Sequence, residues 1–185
     1  MSKSVGRAPG ELFTTHPYDW LVERNLDLYV PSRRKVLHSA QDRRLSTEEI
    51  NAALDLDGEP GAAVVIDGDL IVDAEGRLAL SEEHHTLFVK GRIECRSFWI
   101  GEAVLHAREL DVEQHATFAL HCSDMHGFEV DEMSVPLLST PTATLPDFLG
   151  SLDAEYHVKT WDQFEEQADL FSWIRDDSFG AVYDA

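Results

Sequence analysis

Two stretches of similar pattern decide the fold, VVIDGDLIV at residues 64–72 and LFVKGRIEC at residues 87–95. In each stretch, apolar residues lie on both sides of a glycine that is followed by a charged residue, and apolar positions recur with a period of two. A period of two is typical of β-strands. We therefore expect each stretch to form a strand, a bend at the glycine and a second strand.

The same pattern continues through two later segments, so four segments can be aligned. The anchors Leu70, Ile93, Leu110 and Met133 are separated by 23, 17 and 23 residues. Two positions after the anchors the column is also apolar: Val72, Cys95, Val112 and Val135. Five positions before the anchors it is apolar again: Val65, Phe88, Leu105 and Phe128. Repeats of about 20 residues indicate stacked units that share one core. The sequence predicts a mainly β protein with a short right-handed parallel β-solenoid of about four rungs, and an antiparallel β-sandwich is the alternative.

The flanking segments predict helices around this core. Ser46 and Glu49 have the spacing of a capping box, which predicts a helix over about residues 47–54. After residue 160, apolar residues recur at helical spacing and predict a C-terminal amphipathic helix: Trp161, Phe164, Ala168, Phe171 and Ile174. We expect one domain over 1–185, with an N-terminal α/irregular extension (1–61), the solenoid core (62–138), and a loop and C-terminal helix (139–185).

The two quoted stretches resemble the rungs of bacterial polymer-forming, bactofilin-like β-solenoid proteins. Ser97-Phe98-Trp99-Ile100-Gly101 is similar to the link found in small relatives of that group. Such relatives often accompany secreted toxins and look like immunity proteins, so the resemblance implies a β-solenoid that either polymerises or neutralises a toxin. Arg108 and Asp131 replace the glycines of the first two segments, which argues against end-to-end polymerisation.

The chain is strongly acidic, with 35 Asp and Glu against 15 Lys and Arg and a net charge of −20. Thirty of the acidic residues, but only seven of the basic ones, lie after residue 45. Such a field repels nucleic acids and anionic membranes and attracts a basic protein. We therefore expect a protein partner with a basic surface, and neither a nucleic acid nor a membrane.

Composition also indicates the class of protein. The chain has no run of 18 apolar residues, and no apolar segment follows its basic N-terminus, so we expect neither a transmembrane helix nor a signal peptide. Its two cysteines, Cys95 and Cys122, are too few for a secreted disulfide scaffold. We expect a cytoplasmic protein in which Cys95, which shares a column with three valines, belongs to the core.

One cluster carries potential metal ligands: His115, His121, Cys122 and His126. Imidazole and thiolate are zinc ligands, but the spacing matches no standard zinc pattern, and a polar loop between strands is the alternative. Nucleotide-binding, metalloprotease and serine-hydrolase motifs are absent from the sequence. We therefore expect no metal or other cofactor and no enzymatic activity.

These observations favour an acidic immunity protein that binds a cognate bacterial toxin and occludes its active site, with a possible homodimer. The partner-binding residues that we expect are all acidic: Glu82, Glu83, Asp124, Glu129, Asp131 and Glu132. The alternatives are a self-associating β-solenoid scaffold and a metal-dependent enzyme that uses the His115–His126 region.

Overall fold

The computed structural model describes residues 7–27, 30, 34–56, 61–73, 76–80, 85–101, 103–118, 127–140 and 149–158. Within these ranges the chain forms three short helices, α1 Pro9–Leu12, α2 Asp19–Val22 and α3 Thr47–Leu54. It also forms ten strands, β1 Thr14–His16, β2 Lys35–Ser39, β3 Arg43–Leu45, β4 Ala62–Ile66, β5 Leu70–Val72, β6 Arg77–Leu80, β7 Thr86–Ile100, β8 Val104–Phe118, β9 Phe128–Ser139 and β10 Leu149–Val158.

Four successive turns of chain, β4–β6, β7, β8 and β9, stack in parallel on one another. Leu70 pairs with Ile93, Ile93 with Leu110, and Leu110 with Met133. This register confirms the anchor alignment and the β-solenoid of about four turns. The parallel pairing excludes the antiparallel sandwich.

The stack extends beyond the expected limits of 62–138. At one end, β2 and β3 pair in parallel with β4 and β5, and at the other end β10 pairs in parallel with β9. The first layer breaks the apolar column because Arg43 pairs with Leu70. The last layer contains Leu152 at the anchor position, but acidic residues surround it. The predicted C-terminal helix lies outside the described residues.

The glycine–charge pairs mark corners at which one layer bonds to the next. The side chain of Asp42 accepts a hydrogen bond from the Asp69 backbone N–H at 2.9 Å, and Asp69 accepts one from the Arg92 N–H at 2.8 Å. A Cβ atom on Gly91 would run into the Asp69 carboxylate. The glycine is therefore needed because a carboxylate of the preceding layer lies against it.

One predicted column was wrong between the second and third segments. Phe88 pairs with His106, whereas Leu105 pairs with Leu87, because the register shifts between Val89 and Arg92. At this bulge β7 has two residues where β8 has only Arg108. An extra residue turns every following side chain to the opposite face, so a column of constant spacing cannot cross it.

The helix over residues 47–54 is confirmed, together with its capping box. The Ser46 hydroxyl accepts a hydrogen bond from the Glu49 N–H at 3.2 Å, and the Glu49 carboxylate accepts one from the Ser46 N–H at 3.1 Å. Ile50 and Leu54 on the inner face of α3 are buried in the main core. The helix therefore closes the first layer of the stack.

A second, smaller apolar cluster lies on the outer side of β2, β4 and β7. Leu21 of α2 packs there with Val36, Val65 and Phe88, and Trp20 covers its margin. The N-terminal segment is thus held against the stack by side chains that point away from the main core. Among the described residues, no helix has the length and apolar character needed to cross a membrane.

Candidate functional site

Three of the six predicted partner-binding residues, Glu129, Asp131 and Glu132, lie on β9 and are exposed. Glu82, Glu83 and Asp124 lie outside the described residues. The exposure on β9 follows from alternation, because Phe128, Val130 and Met133 are buried in the core and the intervening residues point outward. Two consecutive positions, 131 and 132, are exposed at the corner of the layer.

Two acidic residues near the early layers have charged partners. Asp67 contacts His38 at 2.8 Å and Lys90 at 2.6 Å, and these contacts hold the pKa of its carboxyl below the usual value although burial opposes that shift. Glu49 pairs with Arg7 at 2.9 Å, and this hydrogen bond is the main reason that its pKa falls to about 2. These two carboxylates are therefore compensated within the chain, whereas the exposed acids Glu11, Asp19, Glu48 and Asp73 outside the strands form no ion pair or side-chain hydrogen bond in the described part of the protein.

On the strands of the last layers, most carboxylates lack a cation. Five exposed residues, hereafter the unpaired acids, form no ion pair or hydrogen bond to their side chains in the described part of the protein: Glu113, Asp131, Glu132, Asp153 and Glu155. Glu129 is not among them, since its carboxylate lies 3.3 Å from His106 Nδ1. Among the residues within strands, the uncompensated acids thus lie on β8, β9 and β10.

Sequence reasoning missed Glu113, Asp153 and Glu155 and the aromatic residue beside them. Tyr156 on β10 is 47% exposed and follows Glu155 directly. An exposed tyrosine next to uncompensated charge can supply both apolar contact area and a hydroxyl, which is why tyrosine is frequent at protein interfaces. Recognising Leu152 as the anchor of another layer could have placed Asp153 and Glu155 on the surface.

Of the predicted metal cluster, only His115 lies within the described residues, and it is buried on β8. Burial lowers the pKa of its imidazole to about 4, and the neighbouring charges of Arg77 and Arg96 act in the same direction. Such a histidine is neutral at pH 7. No group of three or more potential metal ligands occurs among the described residues, and His121, Cys122 and His126 lie outside them.

The prediction that Cys95 belongs to the core is confirmed. Its side chain is in the main apolar cluster, and burial raises the pKa of the thiol far above the usual range. A thiol with such a pKa is not ionised at neutral pH and is a poor nucleophile. His85 is also buried, and its side chain contacts Asp55 at 3.0 Å. This contact joins the end of α3 to the start of β7.

A shallow groove of about 510 Å³ crosses the strands along the axis of the stack. Val72, Cys95 and Val112 line it, but their side chains are buried in the main core and are each at most 5% exposed. Charged residues form its walls, including Arg44, Glu94, Arg96, Asp111 and Glu113. The side chains that border the groove are therefore mainly charged.

The comparisons with known proteins identify no family for this chain. No family model, no curated protein and no solved structure matches it.

Proposed function

We propose that this protein is an immunity module that binds a basic protein toxin and occludes its active site. The unpaired acids carry this proposal, because they leave β8–β10 with negative charge that the described part of the chain does not compensate. Complementary charge accelerates the encounter of two proteins and selects against wrong partners. The resemblance of residues 64–72 and 87–101 to bactofilin-like relatives supports a toxin as the partner.

Two features of the surface fit a binding role. Asp131 and Glu132 lie at a corner where they can approach a concave cleft, and Tyr156 offers an aromatic contact on the neighbouring strand. Interfaces commonly combine a few aromatic anchors with a polar rim. Toxins that act on anionic substrates have basic clefts, so an acidic surface of this kind can compete with the substrate.

Capture of the partner tests the proposal. The tagged protein is co-expressed with the genes that neighbour its own and purified at low and at high salt. We expect one stoichiometric basic protein, released by salt, and inhibition of its toxicity. Replacing both corner acids by lysine, in the double variant Asp131→Lys/Glu132→Lys, is expected to weaken binding by about tenfold or more, equivalent to about 1.4 kcal/mol.

The control is Glu23→Lys, which changes the charge of an exposed residue at the end of α2. A lysine is well tolerated at a helix C-terminus, so this variant is expected to fold and to bind like the wild-type protein. Equal weakening in both variants, or the absence of a basic partner, contradicts the proposal.

A self-associating scaffold is the second candidate, and one observation favours it. Within the described residues, the far edge of β10 has no strand partner, so its backbone groups are available to another strand. At the opposite end, however, β1 pairs antiparallel with β2 and covers that edge. Light scattering at neutral pH distinguishes the two candidates, since filaments support the scaffold and a monomer or dimer supports the immunity module.

A further inference from the structure

The solenoid has one side whose outward side chains are mostly buried. This side, hereafter the third side, consists of β6 and the last parts of β7, β8, β9 and β10, which pair in parallel. Phe98, Ala116 and Leu138 are on its inner face and belong to the main core. The residues beside them therefore point outward. The register aligns four of these outward residues in a row: Trp99, Thr117, Ser139 and Val158.

Two apolar side chains on the outer face of the third side are buried, although no described apolar cluster contains them. Leu137 is 0% exposed and Val158 is 2% exposed. Every other buried apolar residue of the described ranges belongs either to the main core or to the second, smaller cluster. The neighbouring Thr117 and Ser139 are buried as well. Outward side chains of a strand lose contact with solvent only where another part of the chain packs over them.

The described helices pack on other parts of the stack. Leu21 of α2 lies in the second cluster with Val36, Val65 and Phe88 of β2, β4 and β7. Helix α3 contacts β4 and β6 at the start of the stack, and α1 contacts α3. No helix of the described ranges therefore accounts for the burial of Leu137 and Val158.

The segment that follows β10, residues 159–185, lies outside the described ranges, but its sequence fits the third side. It begins directly after Val158, whose side chain already lies on the face to be covered. Apolar residues recur in it at helical spacing from Trp161 to Ile174. A helix over residues 161–174 is about 21 Å long, at 1.5 Å per residue. The four strand spacings from β10 back to β6 amount to about 19 Å, so one such helix spans the third side.

Two internal segments outside the described ranges, 119–126 and 141–148, are the other possible covers. Each of them connects the end of one layer to the start of the next, a connection that residues 101–103 make between β7 and β8. Together they contain one aromatic residue, Phe148, whereas residues 159–185 contain six. Aromatic side chains bury the most apolar area for each residue, so the C-terminal segment is the better cover.

We propose that residues 159–174 fold back across the third side as an amphipathic helix that packs on Leu137 and Val158. Trp161 and Phe164 face the strands, and the acidic residues between them face solvent. The occupant of this surface is thus a segment of the same chain, and the helix withholds the third side from a second copy. The inference does not depend on the proposed function.

A buried and an exposed serine on β9 provide a matched pair of positions for a test. Ser139 is 1% exposed, whereas Ser134 is exposed. The full-length variants Ser139→Cys and Ser134→Cys are made in a Cys122→Ser background, in which the remaining native thiol, Cys95, is buried. We expect Ellman's reagent to label Ser139→Cys about tenfold or more slowly than Ser134→Cys, because labelling requires the cover to open. Equal labelling rates overturn the inference.

Removing the apolar side chains of the segment identifies the cover. Adding Trp161→Ser/Phe164→Ser is expected to accelerate the labelling of Ser139→Cys by about tenfold or more, since the helix loses the contacts that hold it closed. The labelling of Ser134→Cys is expected to stay unchanged in the same background.

The matched control is Glu165→Gln/Asp169→Asn, which changes the polar face of the same segment and is expected to leave both labelling rates unchanged. Slow labelling of Ser139→Cys that persists in Trp161→Ser/Phe164→Ser shows that an internal segment covers the third side, and overturns the inference.

A photo-cross-link decides the question even if Trp161→Ser/Phe164→Ser does not fold, which loss of its β circular dichroism signal would reveal. Benzoylphenylalanine is introduced in place of Phe164 in the full-length protein, and the cross-linked peptides are identified by mass spectrometry. We expect cross-links to residues 115–118 and 137–139 of the third side. Cross-links to Leu149 and Leu152 instead, on the inner face of β10, place the segment over the end of the stack and overturn the inference.

Discussion

At the scale of single residues, side-chain carboxylates at the corners of the stack accept hydrogen bonds from backbone N–H groups, in place of backbone carbonyls. Asp42 bonds to the N–H of Asp69, and Asp69 to the N–H of Arg92. Each bond joins one layer to the next at a place where the chain changes direction. An N–H deprived of its acceptor there loses a hydrogen bond that contributes about 1 kcal/mol.

We therefore expect Asp69→Ala to lower the free energy of unfolding by about 1–2 kcal/mol. Asp69→Asn keeps an oxygen acceptor for the Arg92 N–H and is expected to cost less. Urea unfolding, followed by circular dichroism, measures both variants. Equal losses in the two variants would mean that the negative charge, rather than the hydrogen bond, stabilises this corner.

His115 determines part of the pH dependence of stability. Its pKa in the folded protein is about 4, lowered from 6.5 chiefly by burial. Below pH 6.5 the unfolded chain therefore binds more protons than the folded protein, and stability falls as the pH decreases from 6.5 to about 4. A shift of this size corresponds to about 3 kcal/mol at most.

We expect His115→Gln to flatten the decline of unfolding free energy between pH 6.5 and 4, measured by urea unfolding at several pH values. His16 and His106 also have lowered pKa values because of burial, so part of the decline is expected to persist in the variant. The contribution of Glu49 disappears only at lower pH, between its unshifted pKa of 4.5 and about 2. An unchanged slope in His115→Gln would show that this imidazole does not contribute.

At the scale of elements, α3 depends on its first turn. The capping box satisfies two backbone N–H groups. Arg7 donates three hydrogen bonds to the same Glu49 carboxylate, from its backbone N–H and from Nε, each at 2.9 Å, and from Nη2 at 3.2 Å. The helix in turn buries Ile50, Ala53 and Leu54 against the first layers. Local capping and packing of the core are therefore coupled at this point of the chain.

Ser46→Ala is expected to destabilise the protein by about 1 kcal/mol, the usual cost of an N-cap lost to alanine. Ser46→Asp, which can also cap, is expected to retain most of the stability. Thermal and urea unfolding measure the two variants. If aspartate is no better than alanine, the hydroxyl of Ser46 does not act through the cap.

The strands of the stack show how much of the fold can be predicted from the sequence. The anchor column Leu70, Ile93, Leu110 and Met133 was correct because apolar residues at constant spacing report one buried row directly. The neighbouring column failed at Phe88, because a bulge changes the register without leaving a clear mark in the amino-acid pattern.

The acidic surface of β8–β10 could be predicted from the sequence only in part. Glu129 and Asp131 alternate with buried residues, so their exposure could be read from β9, whereas Glu132 follows Asp131 directly at the corner. Which carboxylates lack a cation could not be read, since Arg92 reaches Glu109 and Asp111 from a different layer. Ion pairing across layers depends on side-chain positions that a single sequence does not specify.

At the scale of the whole molecule, the strands of the early and the late layers differ in their acidic residues. The early layers hold ion pairs such as Asp67–Lys90, whereas the unpaired acids are concentrated on β8–β10. With a net charge of −20, the molecule attracts a basic partner over distances set by the Debye length, about 10 Å at 0.1 M salt. The uneven distribution also favours approach toward the end of the stack that carries β10.

This asymmetry predicts how the protein associates with its partner. Neutralising the corner acids in Asp131→Asn/Glu132→Gln is expected to lower the association rate constant several-fold at about 0.05 M salt, since exposed charges act mainly on the encounter. At about 0.5 M salt the difference is expected to disappear, because screening removes the attraction in both proteins.

Surface plasmon resonance at the two ionic strengths measures association and dissociation separately, with Glu23→Gln as a control remote from β10. A faster dissociation with an unchanged association rate would mean instead that Asp131 and Glu132 form direct, desolvated contacts with the partner rather than guiding its approach.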